Sequence, residues 1–119
     1  MSQQARFQET LRRLAMVDEG FVENQARLGL ALPVTSALDP KTMTLLQIAA
    51  LAGSGAPSVC LEWIVGRALA AGASEDEIAD VLLAIAPVAG LGLVVAAAPH
   101  VATALGYDVA AALEEPDDY

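Results

Sequence analysis

The stretch Cys60-Leu-Glu-Trp-Ile-Val-Gly-Arg-Ala-Leu-Ala-Ala-Gly-Ala-Ser-Glu-Asp-Glu-Ile78 decides the fold, and it holds the only cysteine and the only tryptophan of the chain. Its first half carries apolar residues three and four apart, the spacing of a helix with one buried face. Gly72 supplies the left-handed residue that ends such a helix, because glycine reaches positive φ without a Cβ clash. Ser74-Glu-Asp-Glu77 then reads as a capping box. The Ser74 side chain accepts from the amide of Glu77, and the Glu77 carboxylate reaches back to the amide of Ser74. Three acids in that turn also sit at the positive end of the helix dipole. The segment is a helix, a tight stop and a capped restart, which together make a helix-turn-helix hairpin.

Working outward, Asp39-Pro40 is a second start signal, since the carboxylate can accept from free amides and proline at the first helical position loses no hydrogen bond. It predicts a helix from Pro40 to about Ala52, broken by Gly53-Ser-Gly-Ala-Pro57. The hairpin's first helix should then run from near Ser58 to Ala71. The helix after Ser74 should reach about Ala86 and stop before Pro87, and a last long helix should run from about Gly90 to Leu105, bent near Pro99 and closed by Gly106. At the N-terminus, Phe7, Leu11, Leu14 and Ala15 form one stripe with Arg12 and Arg13 turned outward. That helix should end near Asp18 to Gly20. A short helix over Phe21 to Leu28 should follow, stopped by Gly29 and Pro33. The tail Glu114-Glu-Pro-Asp-Asp-Tyr119 is acidic and expected to fray. No run sustains period-two alternation, so the fold class is all-α. The 119 residues fit a single domain, with N-terminal helices over 1–37, a core over 38–106 and an acidic tail over 107–119.

Composition narrows the function classes. Fifteen acids against six bases give a net charge of −9, the wrong sign for gripping a phosphate backbone, so nucleic acid is excluded as a partner. A lone cysteine cannot form an intrachain disulfide, and no basic region leads an apolar stretch at the N-terminus; the expectation is a cytoplasmic protein. Val81 to Pro99 runs without a charge, but Pro87, Gly90, Gly92 and Pro99 interrupt it and no basic anchors flank it. We read it as a buried helix pair, not a membrane span. Apolar residues make up 55 % of the chain but aromatics only 4 %, so much of the apolar surface is Ala, Val and Leu. A short chain with that much apolar surface is expected to bury some of it between subunits.

From Leu38 onward, Leu-Asp-Pro-Lys-Thr, a helix, a small-residue break, Cys60-Leu-Glu-Trp, Ala68-Leu-Ala-Ala-Gly72, Glu75-Asp-Glu-Ile78 and Ala86-Pro-Val-Ala-Gly90 resemble the carboxymuconolactone decarboxylase family. That family is related to the alkylhydroperoxidase D-like proteins. The resemblance covers roughly Leu38 to Leu93 and lies in the order and spacing of the elements together. It implies an alkylhydroperoxidase D-like helical domain assembling into trimers or hexamers, with the active site beside the helix that begins near Cys60. The alkylhydroperoxidase D-like members carry Cys-x-x-Cys-x-x-x-His and a glutamate on the preceding helix. Here Cys60 takes the second cysteine position, Pro57 the first and Ile64 that of the histidine, which the decarboxylases share. The glutamate position falls near Thr44 or Leu45.

The candidate catalytic residues are Cys60 and Glu62. Cys60 lies near a helix start, where the dipole and free amides can make a thiol nucleophilic; a buried, inert thiol is the other reading. Glu62 lies roughly 140° around the helix from Arg67, and is either a general base or a solvated acid. Cys60, Trp63, Ile64 and Arg67 follow i, i+3, i+4, i+7 spacing and are expected to share a face. Trp63, Ile64 and Arg67 are thus candidate substrate-binding residues, Arg67 as the anchor of a small organic acid's carboxylate. The other reading is a core stripe in which Arg67 pairs with an acidic group on a neighbouring helix or subunit. Any imidazole chemistry must use His100, the only histidine, as an acid or base or else as a structural residue. One His and one Cys with no clustered carboxylates give no metal ligand set, and no glycine-rich phosphate loop appears.

Three readings follow. The first is a cofactor-free lyase or isomerase on a small carboxylated or lactone substrate, with Arg67 anchoring and Cys60 or Glu62 moving a proton. The second is a non-catalytic oligomeric small-molecule-binding protein on the same scaffold. The third is a single-cysteine thiol peroxidase with an external thiol resolving Cys60.

Overall fold

The computed structural model describes residues 3–16 and 37–114, and every regular element among them is a helix. We number these α1 (Gln3–Ala15), α2 (Pro40–Gly53), α3 (Ser58–Ala70), α4 (Glu75–Ala89), α5 (Leu91–Ala104) and α6 (Val109–Glu114). The chain divides into two compact units, Met1–Ala37 and Leu38–Tyr119. Among the described residues no helix is long and apolar enough to cross a membrane.

In the first unit, α1 holds its shape through local pairing. Glu9 accepts from Arg12 at 2.7 Å and from Arg13 at 3.0 Å. Hydrogen bonds from the two guanidiniums, Arg12 first, lower the Glu9 pKa to about 2. The helix closes at Ala15, before the stop expected at Asp18 to Gly20; that stop, the helix expected over Phe21 to Leu28, Gly29 and Pro33 lie outside the described residues.

The second unit begins where Asp39 accepts from the amide of Thr42 at 2.7 Å, with Pro40 in the first turn of α2. That cap replaces a bond the helix end cannot make for itself. At the other end of the hairpin the capping box is closed in both directions: the Glu77 amide donates to Ser74 Oγ at 3.0 Å and the Ser74 amide to Glu77 Oε1 at 2.9 Å. Gly72 stands at φ 97°, the left-handed conformation that ends α3. Lys41 and Glu77 pair at 3.0 Å, tying the first turns of α2 and α4. Both side chains are about two-fifths exposed, so this contact orients more than it stabilises.

α2, α3, α4 and α5 pack around one core, with α3 against α2 and α5, and α4 against the same two. Ile48, Leu61, Ile64, Val65 and Ile78 are sealed from solvent, and each such aliphatic contributes about 1.5–3 kcal/mol of hydrophobic stabilisation. The buried arc of α3 is Leu61, Ile64, Val65 and Ala68, the i, i+3, i+4, i+7 set that fixes which way the helix faces. Thr44 is the one buried polar residue among those described, and its hydroxyl donates to the carbonyls of Lys41 at 2.8 Å and Pro40 at 3.2 Å.

In the second unit two features differ from expectation. α4 does not stop before Pro87 but continues to Ala89, and Gly90 at φ 100° turns the chain into α5. Proline there forfeits only the bond to Leu83, and its φ is already helical, so a last turn can pass through it. Residues 109–114 form α6, a helix not expected within the acidic tail 107–119, while all but the first residue of the stretch expected to fray lies outside the described residues. Asp108 supplies the missing start signal, accepting from the amide of Ala111 at 3.0 Å.

Candidate functional site

α3 has no side-chain cap at its start, because Pro57 occupies the capping position. The Cys60 and Leu61 amides bond the Pro57 carbonyl at 3.0 and 3.3 Å. The amides of Ser58 and Val59 precede those bonds and face the helix end. A cleft of about 200 Å³ opens there, between the start of α3 and the middle of α5. Leu93, Ala96, Ala97 and His100 line it from α5, one i, i+3, i+4, i+7 stripe, while Ser58 and Leu61 line it from α3. Ser58 and His100 are the only polar side chains of the lining. A helix start, a hydroxyl and an imidazole around an apolar pocket can hold a small anion by its charged end and a ring by its body.

The residues expected along α3 separate. Arg67 and Trp63 do meet: the guanidinium carbon lies 5.4 Å from the indole centroid, a cation–π contact worth about 0.5–1 kcal/mol at an exposed site. Cys60 is half-buried one turn before Trp63. The expectation that Ile64 contacts substrate is corrected, because Ile64 is completely buried in the core. The reason is angular: a residue one position past exposed Trp63 is carried about 100° into the buried arc. Glu62 is exposed; it follows Ser58 by four residues, and so continues the flank of α3 opposite to Arg67. Arg67 has no carboxylate in ion-pairing range among the described residues.

His100 is exposed at the mouth of its cleft, not packed in the core. Thr44, near the position where the related proteins place a glutamate, has its hydroxyl engaged by its own helix. Sequence reasoning missed Ser58, Leu93 and Ala96. The period-3.6 spacing from Leu93 to His100 was the available signal, obscured because nearly every residue around it is apolar too. No three Asp, Glu, His or Cys side chains group at metal-binding range among the described residues.

No curated protein and no solved structure matches the chain. A family model does match, that of the carboxymuconolactone decarboxylase family, over residues 21–106. The matched span contains α2 to α5 whole, with both walls of the His100 cleft. The match spans well over half of the sequence, and the chain belongs to the carboxymuconolactone decarboxylase family.

Proposed function

We propose that this is a cytoplasmic, homo-oligomeric, cofactor-free lyase or isomerase of a small carboxylated or lactone substrate, which enters the cleft between α3 and α5. The observation that carries the reading is that the chain's only histidine lines a cleft at an uncapped helix start. The free amides of Ser58 and Val59 and the Ser58 hydroxyl would receive the substrate carboxylate. The imidazole of His100 would move a proton at the carbon beside the lactone or acid carbonyl, as histidine does best near neutral pH. Glu62, one turn along the same flank, is the second candidate base. Trp63 and Arg67 would bind a more extended acid from the other flank, and Cys60 there is the residue through which any thiol peroxidase activity would run. A non-catalytic binding role is favoured by one feature, the scarcity of polar side chains in the cleft.

The test is turnover of lactone acids, monitored by loss of carbon dioxide or double-bond movement, with His100→Ala alongside. Turnover abolished by the substitution supports the enzyme. Saturable binding without turnover, weakened by the same substitution, assigns the binding role. Indifference of both to His100 removes the cleft from consideration, and peroxide consumption lost in Cys60→Ser would move the chemistry to the thiol.

A further inference from the structure

We propose that Leu93 sets how large a ligand the cleft between α3 and α5 accepts, admitting acids built on one ring and turning away those built on two. This rests on the reading that the cleft takes a small carboxylated or lactone compound, and adds which of them fit. Of the residues that line it, Ala52, Leu61 and Ala97 belong to the buried core and cannot give way. Gly55, Ala56 and Ala96 carry too little side chain to reach into it. Leu93 is the one long apolar side chain of the lining that is half-buried and stands outside the core.

A close approach fixes which end of the cleft Leu93 closes. Gly55 stands at φ 73° in the connection from α2 to α3, and a Cβ built on it would lie 3.4 Å from Leu93 Cδ2. The Leu93 side chain thus reaches from α5 to that connection, and the space behind it holds one methyl group at most. His100 lies seven residues further along α5, about 10 Å along the helix axis. An acid whose reacting carbon sits at His100 can extend over Ala96 and Ala97 only as far as Leu93. The cleft holds about 200 Å³, less than the roughly 300–1,000 Å³ of pockets that take drug-sized molecules. One ring fills it, and a fused second ring meets the Leu93 methyl groups, which have no room to withdraw.

The experiment is calorimetric binding of two probes to the full chain: butyrolactone carboxylate, with one ring, and its benzo-fused counterpart phthalide carboxylate, with two. The proteins are the wild type, Leu93→Ala, Leu93→Phe and His100→Ala, with circular dichroism confirming that each variant keeps its helices. The wild type should prefer the one-ring acid. Leu93→Ala should raise affinity for the two-ring acid about tenfold or more, the range that a methylene or more commands in an apolar pocket, and leave the one-ring acid little changed. A gain for the larger probe is a result that a damaged fold does not produce. Leu93→Phe, which lengthens the wall, should weaken the one-ring acid. A wild type that binds both probes equally, or a Leu93→Ala that changes both in the same proportion, overturns the size filter; the cleft reading then stands if His100→Ala weakens the one-ring acid. Binding of neither probe, or binding indifferent to His100→Ala, overturns the cleft reading and the filter with it.

Discussion

The two flanks of α3 differ in how their polar groups are held. On one, Arg67 lies over the Trp63 ring with Cys60 a turn away. On the other, Ser58 shares an open, mostly apolar cleft with His100, a residue from a different helix. The first flank carries more chemistry by residue type; the second has the better place for a ligand. Concavity decides between them, because a small acid gains little from a guanidinium already lying over an indole and more from free amides beside an apolar wall.

Four measurements break or sharpen this comparison. The largest effect belongs to the residue between the flanks: Ile64→Ala should cost about 2–5 kcal/mol in urea unfolding, as expected for a cavity in a closed core. A loss below about 1 kcal/mol would mean that Ile64 is not core. Next, His100→Ala should weaken a small carboxylic acid or lactone ligand about tenfold, or about 1.4 kcal/mol, while Arg67→Ala leaves the dissociation constant within about twofold by calorimetry. The reverse pattern would transfer the site to the Trp63 flank. Third, Ser74→Ala should lower stability by about 1 kcal/mol without touching ligand affinity, since the capping box acts on the hairpin alone. The smallest effect is in acid. Hydrogen bonds from the Thr42 amide to Asp39, and from the Ser74 amide to Glu77, hold both carboxyls below their ordinary range. A lowered folded-state pKa stabilises at pH above the unfolded value and is lost as pH falls through the folded one. Thermal melts should therefore be level from pH 7 down to about 5 and fall below about pH 4. A melting temperature that rises in that lower range would contradict both caps.

What could be read from the sequence follows the range of the interaction. Gly72 and the box from Ser74 to Glu77 announce the hairpin because each signal is complete within a few residues, and Asp39-Pro40 announces α2 for the same reason. Pro87 misled because a proline's effect depends on how near the helix end lies, which the run of Ala and Val conceals. Asp108 was a legible cap before α6 but stood in a tail read by its charge alone. The cleft was illegible for a different reason. His100 was visible as the only imidazole, yet its neighbour Ser58 belongs to another helix, and only tertiary packing of α3 on α5 brings the two to one cavity.

That long-range construction makes the cleft a reporter of folding. Neither wall exists as half of a binding site in the unfolded chain, so a ligand of Ser58 and His100 recognises the folded chain alone and adds its binding free energy to conformational stability. At a hundredfold excess over its dissociation constant such a ligand raises the unfolding free energy by about 2.7 kcal/mol. For a domain of this size that is a rise of roughly 10 °C or more in melting temperature. A thermal-shift survey of small acids and lactones would thus search for the substrate and test the packing of α3 on α5 in the same measurement.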